Sequence, residues 1–129
     1  MNGGAGRDVM NGNTGEDTLS GGDGADIVRG GQGNDSVSGG TGDDFVSGDR
    51  GSDTISGGAG ADIFHTFDGA GLDWVFDFSA GEGDRVQLLP GAAWFVQQEG
   101  ENTVVHAGDG TLVLLGVQMS TLPDGWIIV

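Results

Sequence analysis

Seven aspartates recur every nine residues in the first half of the chain, and their carboxylates are its most regularly spaced set of potential cation ligands. They are Asp8, Asp17, Asp26, Asp35, Asp44, Asp53 and Asp62. Carboxylates stacked about one strand separation apart, roughly 4.8 Å, repel one another unless a cation lies between them. Ca²⁺ accepts roughly six to eight carboxylate and carbonyl oxygens in loose geometry, Mg²⁺ requires a tighter octahedron, and zinc prefers His or Cys. Because the chain has no Cys and only two His, far apart in sequence, the pattern favours calcium.

Each aspartate is the sixth residue of a nine-residue unit that occurs seven times without a gap. The copies begin at Gly3, Gly12, Gly21, Gly30, Gly39, Gly48 and Gly57. The first and fourth positions are always Gly, and the eighth is always apolar: Met10, Leu19, Val28, Val37, Val46, Ile55 and Phe64. A strict short period predicts a solenoid, in which each copy buries its apolar face only against its neighbours. An acidic, Gly-rich disordered linker would share this composition but not the fixed phase between aspartates and apolar residues.

Within each copy, the residues around the eighth position are predicted to form a short strand, and the first six a turn. The eighth side chain then points to one side of the strand, while the seventh and ninth point to the other. The second position is Gly in five copies and Asn13 or Asp49 in the other two. Asn and Asp are the side chains that best tolerate the left-handed region, so the turn is predicted to hold a positive φ at this position.

The unit Gly-Gly-x-Gly-x-Asp, followed by a short apolar strand, resembles the nonapeptide of the RTX (repeats-in-toxin, hemolysin-type) family over residues 3–65. The resemblance implies an all-β fold, a calcium-binding parallel β-roll with a C-terminal β cap. In that fold two copies make one turn, so each copy stacks on the copy after next, and each Ca²⁺ lies between the two. The earlier copy would provide its second and fourth carbonyls and its Asp, and the later copy its first and third carbonyls and its Asp.

Carried onto this chain, the resemblance implies five complete calcium sites. The first two sets are Gly4, Gly6 and Asp8 with Gly21, Asp23 and Asp26, and Asn13, Gly15 and Asp17 with Gly30, Gln32 and Asp35. The next two are Gly22, Gly24 and Asp26 with Gly39, Thr41 and Asp44, and Gly31, Gly33 and Asp35 with Gly48, Arg50 and Asp53. The fifth is Gly40, Gly42 and Asp44 with Gly57, Ala59 and Asp62. Half-sites remain at both ends, and Asp73 is a candidate to complete the one that contains Gly58, Gly60 and Asp62.

The net charge of −16 limits the classes of partner. Five Ca²⁺ would offset ten of these sixteen negative charges. Without calcium, charge repulsion and the entropy of 29 Gly residues should keep the repeats unfolded, so metal binding and folding would be one event. With no Lys and no basic cluster, a nucleic-acid partner is disfavoured. No apolar run approaches the roughly 20 residues of a membrane span.

The nonapeptide register ends after His65, and residues 66–129 are predicted to be a capping β region. Alternation over 72–78 and apolar runs at 85–89, 93–97, 103–107 and 111–115 predict strands, with turns at 81–84, 99–102 and 108–110. The segment 73–78, followed by 83–88, resembles the end of RTX rolls in secreted bacterial proteases and lipases. A cap is needed there because the last turn of a solenoid exposes apolar surface and unpaired strand edges.

Residues 124–129 are an acidic residue followed by an apolar terminus. This terminus resembles the uncleaved C-terminal signal of type I secretion substrates, and a final buried strand would have the same pattern. No charged-then-apolar signal sequence precedes the repeats, and only Met1 and Asn2 stand before the first copy. We therefore expect a fragment of a larger exported protein whose upstream part carries an enzyme or toxin activity.

The seventh position alternates in polarity from copy to copy. Odd copies have Val9, Ile27, Phe45 and Ile63, and even copies have Thr18, Ser36 and Thr54. Because odd and even copies stack on opposite sides of a roll, one outer face is predicted to carry an apolar stripe. Such a patch usually marks a partner surface, for the C-terminal segment, a parent domain or a second chain of an oligomer. The other interpretation is that β-branched and aromatic residues simply favour strands.

Neither Gly-x-Ser-x-Gly nor His-Glu-x-x-His occurs, so the chain itself is not predicted to be an enzyme. The resemblance implies a domain that passes a type I secretion channel unfolded at low cytosolic calcium. It would then fold on Ca²⁺ binding outside the bacterium, as an extracellular protein. Its predicted partners are calcium ions, the type I secretion machinery and an upstream parent domain. The alternative is a β-roll module that binds polysaccharide or a parent catalytic domain, as in RTX modules of alginate-modifying enzymes.

Overall fold

The computed structural model describes residues 1–91 and 93–129, and nearly all of its regular structure is β. The strands, in chain order, are β1 Val9–Asn11, β2 Thr18–Asp23, β3 Ile27–Arg29, β4 Ser36–Thr41, β5 Phe45–Ser47, β6 Thr54–Ala59, β7 Ile63–His65, β8 Leu72–Val75, β9 Arg85–Gln87, β10 Trp94–Glu99, β11 Asn102–Ala107, β12 Gly110–Leu114 and β13 Ile127–Ile128. Two short 3₁₀ turns lie at Ala80–Glu82 and Met119–Thr121. Within the described residues, no helix has the length and apolar character needed to cross a membrane.

The strands stack into two sheets that wind as one parallel solenoid, the predicted β-roll. One sheet has the order β1-β3-β5-β7-β9-β13 and is parallel throughout. The other has the order β10-β11-β12-β8-β6-β4-β2, in which the strands from β12 to β2 pair in parallel. From β1 to β9, successive strands of the chain alternate between the sheets.

Two nonapeptides make one turn of this solenoid. Val9 pairs with Ile27 and Ile27 with Phe45 in the first sheet, and Thr18 pairs with Ser36 in the second. Each copy therefore lies on the copy after next, as the family resemblance implies. The sixth-position aspartates consequently align from turn to turn.

The eighth residue of every copy is buried between the two sheets, which confirms the predicted phase. Met10, Leu19, Val28, Val37, Val46, Ile55 and Phe64 are each at most 6% exposed. Full burial of such a side chain contributes about 1.5–3 kcal/mol. The same core continues through Val75, Val86, Leu112 and Leu114 in the C-terminal half. Apolar burial thus holds the sheets together and fixes the turns that carry the aspartates.

Parallel stacking continues past His65, where the nonapeptide register ends. β8 pairs with β6, and β9 pairs with β7. β12 then pairs in parallel with β8, and β10–β12 form an antiparallel meander at that end of the sheet. The division into a roll at 3–65 and a capping region at 66–129 follows the change of sequence pattern. As a domain boundary it remains a prediction.

The strand predicted over residues 72–78 ends at Val75. Asp73 and Val75 are fully buried, whereas Leu72 is 37% exposed. Stacking on β6 sets this orientation, because Val75 pairs with the buried eighth-position residue Ile55. Asp73 and Val75 therefore take the places of sixth- and eighth-position residues, although the nonapeptide itself has ended.

The C-terminal residues form the last strand of the first sheet. The N–H groups of Val86 and Leu88 donate to the carbonyls of Trp126 and Ile128, each at 2.8 Å. The Trp126 ring lies edge-on to Phe78, with centroids 6.2 Å apart. The strand interpretation of the terminus is therefore confirmed for Ile127–Ile128, which covers the edge of β9. A role of residues 124–129 as an export signal remains a prediction.

Candidate metal centres

The sixth-position aspartates form two columns, one from the odd copies and one from the even copies. Within a column, the backbone N–H of each aspartate donates to Oδ1 of the aspartate one turn later, at 2.7–2.9 Å. The odd column is Asp8, Asp26, Asp44 and Asp62, and the even column is Asp17, Asp35 and Asp53. Each aspartate is one rung of its column, and these bonds fix the orientation of the carboxylate in every rung after the first.

The other carboxylate oxygen, Oδ2, is buried in all seven aspartates. It accepts no hydrogen bond from any residue in 1–91 or 93–129. The five aspartates from Asp26 to Asp62 are each at most 3% exposed. Burying an unpaired carboxylate costs several kcal/mol, so each rung presents an oxygen that lacks a counter-charge. This arrangement fits a bound cation at each rung.

The first-position carbonyl of the later copy converges on the same point as this oxygen. A methyl group on Gly21 would lie 2.5 Å from the carbonyl oxygen of Gly39 and 2.6 Å from Oδ2 of Asp26. A methyl group on Gly39 would lie 2.7 Å from the oxygen of Gly57 and 2.6 Å from Oδ2 of Asp44. Only Gly leaves this space open. The Asp of one copy and the first carbonyl of the copy after next therefore face each other across one small volume.

The second-position residues hold the positive φ that the sequence predicts. Asn13 and Asp49 have φ values of 69° and 66°, and Gly22 and Gly31 have values of 93° and 95°. The carbonyl oxygens of the second and fourth positions point at the following turn. A methyl group on Gly22 would meet the oxygen of Gly4, a contact that a side chain cannot make. The close approach of the turn at Gly22 to the turn at Gly4 thus requires a residue without a side chain at position 22.

The backbone carbonyls of the turns retain acceptor capacity. The oxygen of Gly4 accepts the N–H of Asp23 at 2.9 Å, and the third-position oxygen of Thr41 accepts the N–H of Gly24 at 2.9 Å. A carbonyl has two lone pairs, so one hydrogen bond leaves a lone pair for a metal. Arg50, at a third position, would likewise contribute only its carbonyl.

In all five predicted ligand sets, the structure places the Asp of the earlier copy opposite the first-position carbonyl of the later copy. In each set, a methyl group on the first-position Gly of the earlier copy would contact both the Asp Oδ2 of that copy and the first carbonyl of the later copy. The facing pairs are Asp8 with Gly21, Asp17 with Gly30, Asp26 with Gly39, Asp35 with Gly48 and Asp44 with Gly57. The ligand assignment itself remains a prediction.

Burial raises the pKa of several column aspartates well above the ordinary value of 3.8. The pKa of Asp44 rises to about 6 and that of Asp62 to about 7, first because of desolvation and then because of repulsion from neighbouring carboxylates. Hydrogen bonds from the N–H groups of Asp26 and Asp44 oppose these two shifts in part. The same causes raise the pKa of Asp53 to about 6. Without a bound cation, these three carboxylates would therefore be half protonated or more at about pH 6.

The donor set matches a hard, oxygen-seeking cation. Within the described residues, no group of three or more His, Cys, Asp and Glu side chains is placed to hold a metal ion. Each rung instead offers two carboxylates, and the remaining oxygens come from the backbone. Zinc sites rely on His and Cys, whereas Ca²⁺ accepts carbonyl-rich cages.

Asp73 joins a different column from the one assigned by the sequence. The sequence predicts that Asp73 completes the half-site of Gly58, Gly60 and Asp62. Instead, Asp53 N–H donates to Oδ1 of Asp73 at 3.0 Å, and Asp62 N–H donates to Oδ1 of Asp84 at 2.8 Å. The pairing of Asp73 with Asp62 is therefore wrong. Its physical cause is turn length, because 20 residues separate Asp53 from Asp73 and 22 separate Asp62 from Asp84.

The sequence analysis does not identify Asp77 and Asp84 as carboxylates that bind the backbone of the last repeats. The carboxylate of Asp77 accepts the N–H groups of Gly57 and Gly58 at 2.9 and 2.8 Å. Asp84 continues the odd column beyond the repeats. The available signal was the segment Asp84-Arg85-Val86, in which an Asp stands two residues before a buried apolar residue, as in the nonapeptide.

The apolar stripe predicted on the odd-copy sheet is present on the surface. Val9 is 76% and Ile27 41% exposed, while Phe45 and Ile63 are partly buried. The Phe45 ring lies 5.7 Å from the ring of His65. The stripe's use as an interface for a second chain or a parent domain remains a prediction.

Comparison with known families gives an independent view of the repeats. A sequence model described as the RTX calcium-binding nonapeptide repeat (4 copies) matches the chain twice, over residues 2–37 and 38–73. A comparison with curated protein sequences found no match.

The solved structures that align with this chain include proteins from two bacteria. The extracellular lipase LipA from Serratia marcescens aligns with a TM-score of 0.52 at 14% identity, over 98% of this chain and 39% of that chain. The chain thus spans well under half of that lipase, and the likeness concerns the fold. The AlgE6R3 and AlgE6R2 subunits from the Azotobacter vinelandii mannuronan C5-epimerase align at 27% and 23% identity, with TM-scores of 0.41 and 0.48. These alignments cover 98% and 92% of this chain, and 80% and 89% of those chains.

Proposed function

The chain belongs to the RTX calcium-binding nonapeptide repeat family, and we propose that it is a calcium-dependent folding domain that supports type I secretion and folding of a larger exported protein. The repeats of this family bind calcium, and they form a structural rather than a catalytic element. One observation carries the proposal for this chain. Its two columns of buried aspartates each present Oδ2 atoms with no hydrogen-bond partner within the described residues.

Five Ca²⁺ sites follow from these columns, one between each copy and the copy after next. Each would take two column aspartates, together with four carbonyls from the first to fourth positions of the two turns. The facing of Asp Oδ2 and first-position carbonyl supports this set, as between Asp26 and Gly39. Six protein oxygens lie within the range that Ca²⁺ accepts, roughly six to eight.

Calcium binding would decide whether the roll folds. The unpaired Oδ2 atoms and the net charge of −16 oppose the compact state until cations compensate them. Calcium modules of extracellular proteins have affinities of about 10⁻⁴–10⁻³ M. At ten times its dissociation constant, each site adds about 1.4 kcal/mol, so several sites together can decide folding.

This dependence suits export through a channel that accepts unfolded chains. At low cytosolic calcium the domain would stay unfolded, and outside the cell it would fold. RTX repeats are typical of secreted bacterial proteins, which supports an extracellular location. Any enzyme or toxin activity would belong to an upstream parent domain, and residues 124–129 would act as the export signal.

Export by a type I system tests the secretion role. The chain with residues 124–129 removed would be compared with the native chain in cells that carry a type I exporter. We expect the native chain in the medium and the shortened chain in the cytosol. Equal export of both would overturn the assignment of the signal, and failure to export either would overturn the secretion role.

The second candidate function, a polysaccharide-binding module, is favoured by one surface feature. A cleft of about 430 Å³ is lined by residues that include Arg29, Arg50 and Phe67. Arg29 is neutralised there by Asp49 at 2.9 Å, so Arg50 is the cation left to attract an acidic sugar. Calorimetry with an acidic polysaccharide and with Arg50→Ala tests this candidate. Binding by the native chain that the variant loses would support it, and no binding by the native chain would rule it out.

A further inference from the structure

We propose that two copies of this chain join through antiparallel pairing of β10, the exposed edge strand at the C-terminal end of the roll. β10 runs from Trp94 to Glu99 and is the last strand of the seven-stranded sheet, where it pairs with β11 on one side. This surface differs from the apolar stripe of the odd copies, which belongs to the other sheet. The proposal goes beyond calcium binding and export.

The free edge of β10 presents a row of backbone groups to solvent. A two-residue hairpin turn connects Glu99 to Asn102, so these two residues exchange backbone hydrogen bonds. Bonded and non-bonded pairs alternate along an antiparallel ladder, so the N–H and C=O groups of Trp94, Val96 and Gln98 point away from β11. Within the described residues, no loop backbone bonds to these groups.

β10 lacks the features that commonly protect an edge strand. It contains no Pro, Lys or Gly, and Glu99 is its single charged residue. Trp94 is 41% and Phe95 55% exposed, on opposite faces of the strand. At the other end of the same sheet, the chain's first residues run beside β2, where Ser20 N–H donates to the carbonyl of Met1 at 2.8 Å. An apolar edge without such cover is a template for another strand.

An apolar groove follows the inner side of β10. It has a volume of about 380 Å³ and lies between β10 and residues 119–129. Val96 and Leu122 line it and also pack against the core. Met119 and Val129 line it as well, and they are 41% and 55% exposed. The core between the two sheets is therefore open to solvent here, and a strand added to β10 would cover it.

A second copy of β10 can pair with this edge in one centred register. The outward-pointing groups of the two strands must face each other, which sets Val96 of one copy opposite Val96 of the other. Trp94 then lies opposite Gln98, and each such pair exchanges two backbone hydrogen bonds. The pairing is two-fold symmetric and uses the same edge of both copies, so the assembly closes at two chains.

The charge of the chain favours contact at this edge over contact elsewhere. A net charge of −16 makes copies repel one another over most of their surface. β10 carries only one of the 20 acidic residues, and in the centred register Glu99 faces Ala93. No two carboxylates of the paired strands are then directly opposite, an arrangement that would be destabilising. A basic partner would find little charge here, whereas a nearly neutral strand such as β10 itself fits.

Sedimentation velocity of the calcium-loaded chain over a range of concentrations tests the dimer. We expect the native chain to show a monomer–dimer equilibrium and Trp94→Lys to remain monomeric, because a Lys on an edge strand blocks pairing. Phe76→Lys is the matched control and should dimerise like the native chain. Phe76 is also an exposed aromatic residue, at 60%, but it follows β8 and lies outside β10. Circular dichroism with calcium would show that both variants fold.

Three outcomes of sedimentation would overturn the proposal. They are a native chain that is monomeric at every concentration, a Trp94→Lys variant that dimerises like the native chain, and native assemblies larger than a dimer. Each of these outcomes leaves calcium-dependent folding intact, because the spectra in calcium and EGTA measure that property separately.

Cross-linking tests the register, and the absence of Cys from the chain removes any background reaction. In the proposed dimer the Cα atoms of the two Val96 residues lie about 5.5 Å apart, within the span of a disulfide. We expect mild oxidation to convert Val96→Cys into a covalent dimer. Gln98→Cys, on the same face of β10 but away from the two-fold axis, should stay largely uncross-linked. Equal cross-linking of the two variants, or none in Val96→Cys, would overturn this pairing.

Discussion

The backbone N–H of Asp26 donates a 2.8 Å hydrogen bond to Oδ1 of Asp44, and both residues are buried. The bond places one carboxylate under the next at a spacing set by the parallel strands. It leaves Oδ2 of each without a hydrogen-bond partner among the described residues. Repeated along two columns, this relationship creates the proposed calcium sites and also the charge repulsion that calcium would relieve.

Replacing an aspartate in the middle of a column should remove more calcium than replacing one at its end. In the proposed arrangement of ligands, Asp35 contributes to two calcium sites, one shared with Asp17 and one shared with Asp53. Asp17 contributes only to the first of these. Asp35→Asn is therefore expected to bind two fewer ions, and Asp17→Asn one fewer. Native mass spectrometry at saturating calcium measures both. Equal losses in the two variants would contradict shared ligation by a column aspartate.

Gly22→Ala and Gly4→Ala separate backbone strain from turn-to-turn contact. The two residues have similar φ values, 93° and 87°, so each variant incurs about 1–2 kcal/mol of left-handed strain. A methyl group on Gly22 would also strike the oxygen of Gly4, whereas one on Gly4 meets nothing within 4 Å. We expect Gly22→Ala to be clearly less stable in chemical denaturation with calcium. Equal stabilities would mean that the turns do not approach as closely as described.

Protonation at acidic pH should partly substitute for calcium in stabilising the folded state. The folded-state pKa values of Asp44, Asp53 and Asp62 are about 6, 6 and 7, above the ordinary value of 3.8. The folded chain therefore binds more protons than the unfolded chain, and this contribution to stability is complete below about pH 4. It is lost as the pH rises through about 6 to 7. In EGTA, circular dichroism should report more β-structure at pH 5 than at pH 8.

The control for the acid effect is Asp62→Asn, which removes the group that titrates near pH 7. Its calcium-free β-content should change less between pH 6 and 8 than that of the native chain. A native chain whose calcium-free spectrum is the same at pH 5 and pH 8 would contradict the raised pKa values.

The repeat region was predictable from the sequence because each nine-residue period forms one strand and one turn of the roll. The buried eighth positions and the positive φ of Asn13 and Asp49 follow from local residue types. The alignment of each copy with the copy after next followed from family resemblance. Residue chemistry and spacing alone did not identify it.

The junction after His65 could not be predicted in the same way. Its turns lengthen from 18 residues to 20 and 22, and the sequence gives no local sign of which Asp meets which. The pairing of β8 with β6 determines which aspartates lie next to each other. This pairing is a tertiary interaction.

Removing residues 124–129 should destabilise the folded, calcium-loaded domain. The truncation deletes β13 and two backbone hydrogen bonds to Val86 and Leu88. It also removes the partly buried Trp126 and Ile127 from the core. We expect a loss of about 2–4 kcal/mol in urea unfolding with calcium. An unchanged stability would show that the terminus is not an integral strand.

Far-UV circular dichroism tests the central claim, that calcium and folding are one event, most directly. The chain would be recorded in EGTA and then titrated with Ca²⁺, with Mg²⁺ titrated in parallel as a control. We predict a disordered spectrum in EGTA at neutral pH, a cooperative change to β-structure with Ca²⁺, and no comparable change with Mg²⁺. A β spectrum in EGTA that calcium leaves unaltered would contradict the account, because the apolar core alone would then hold the roll together.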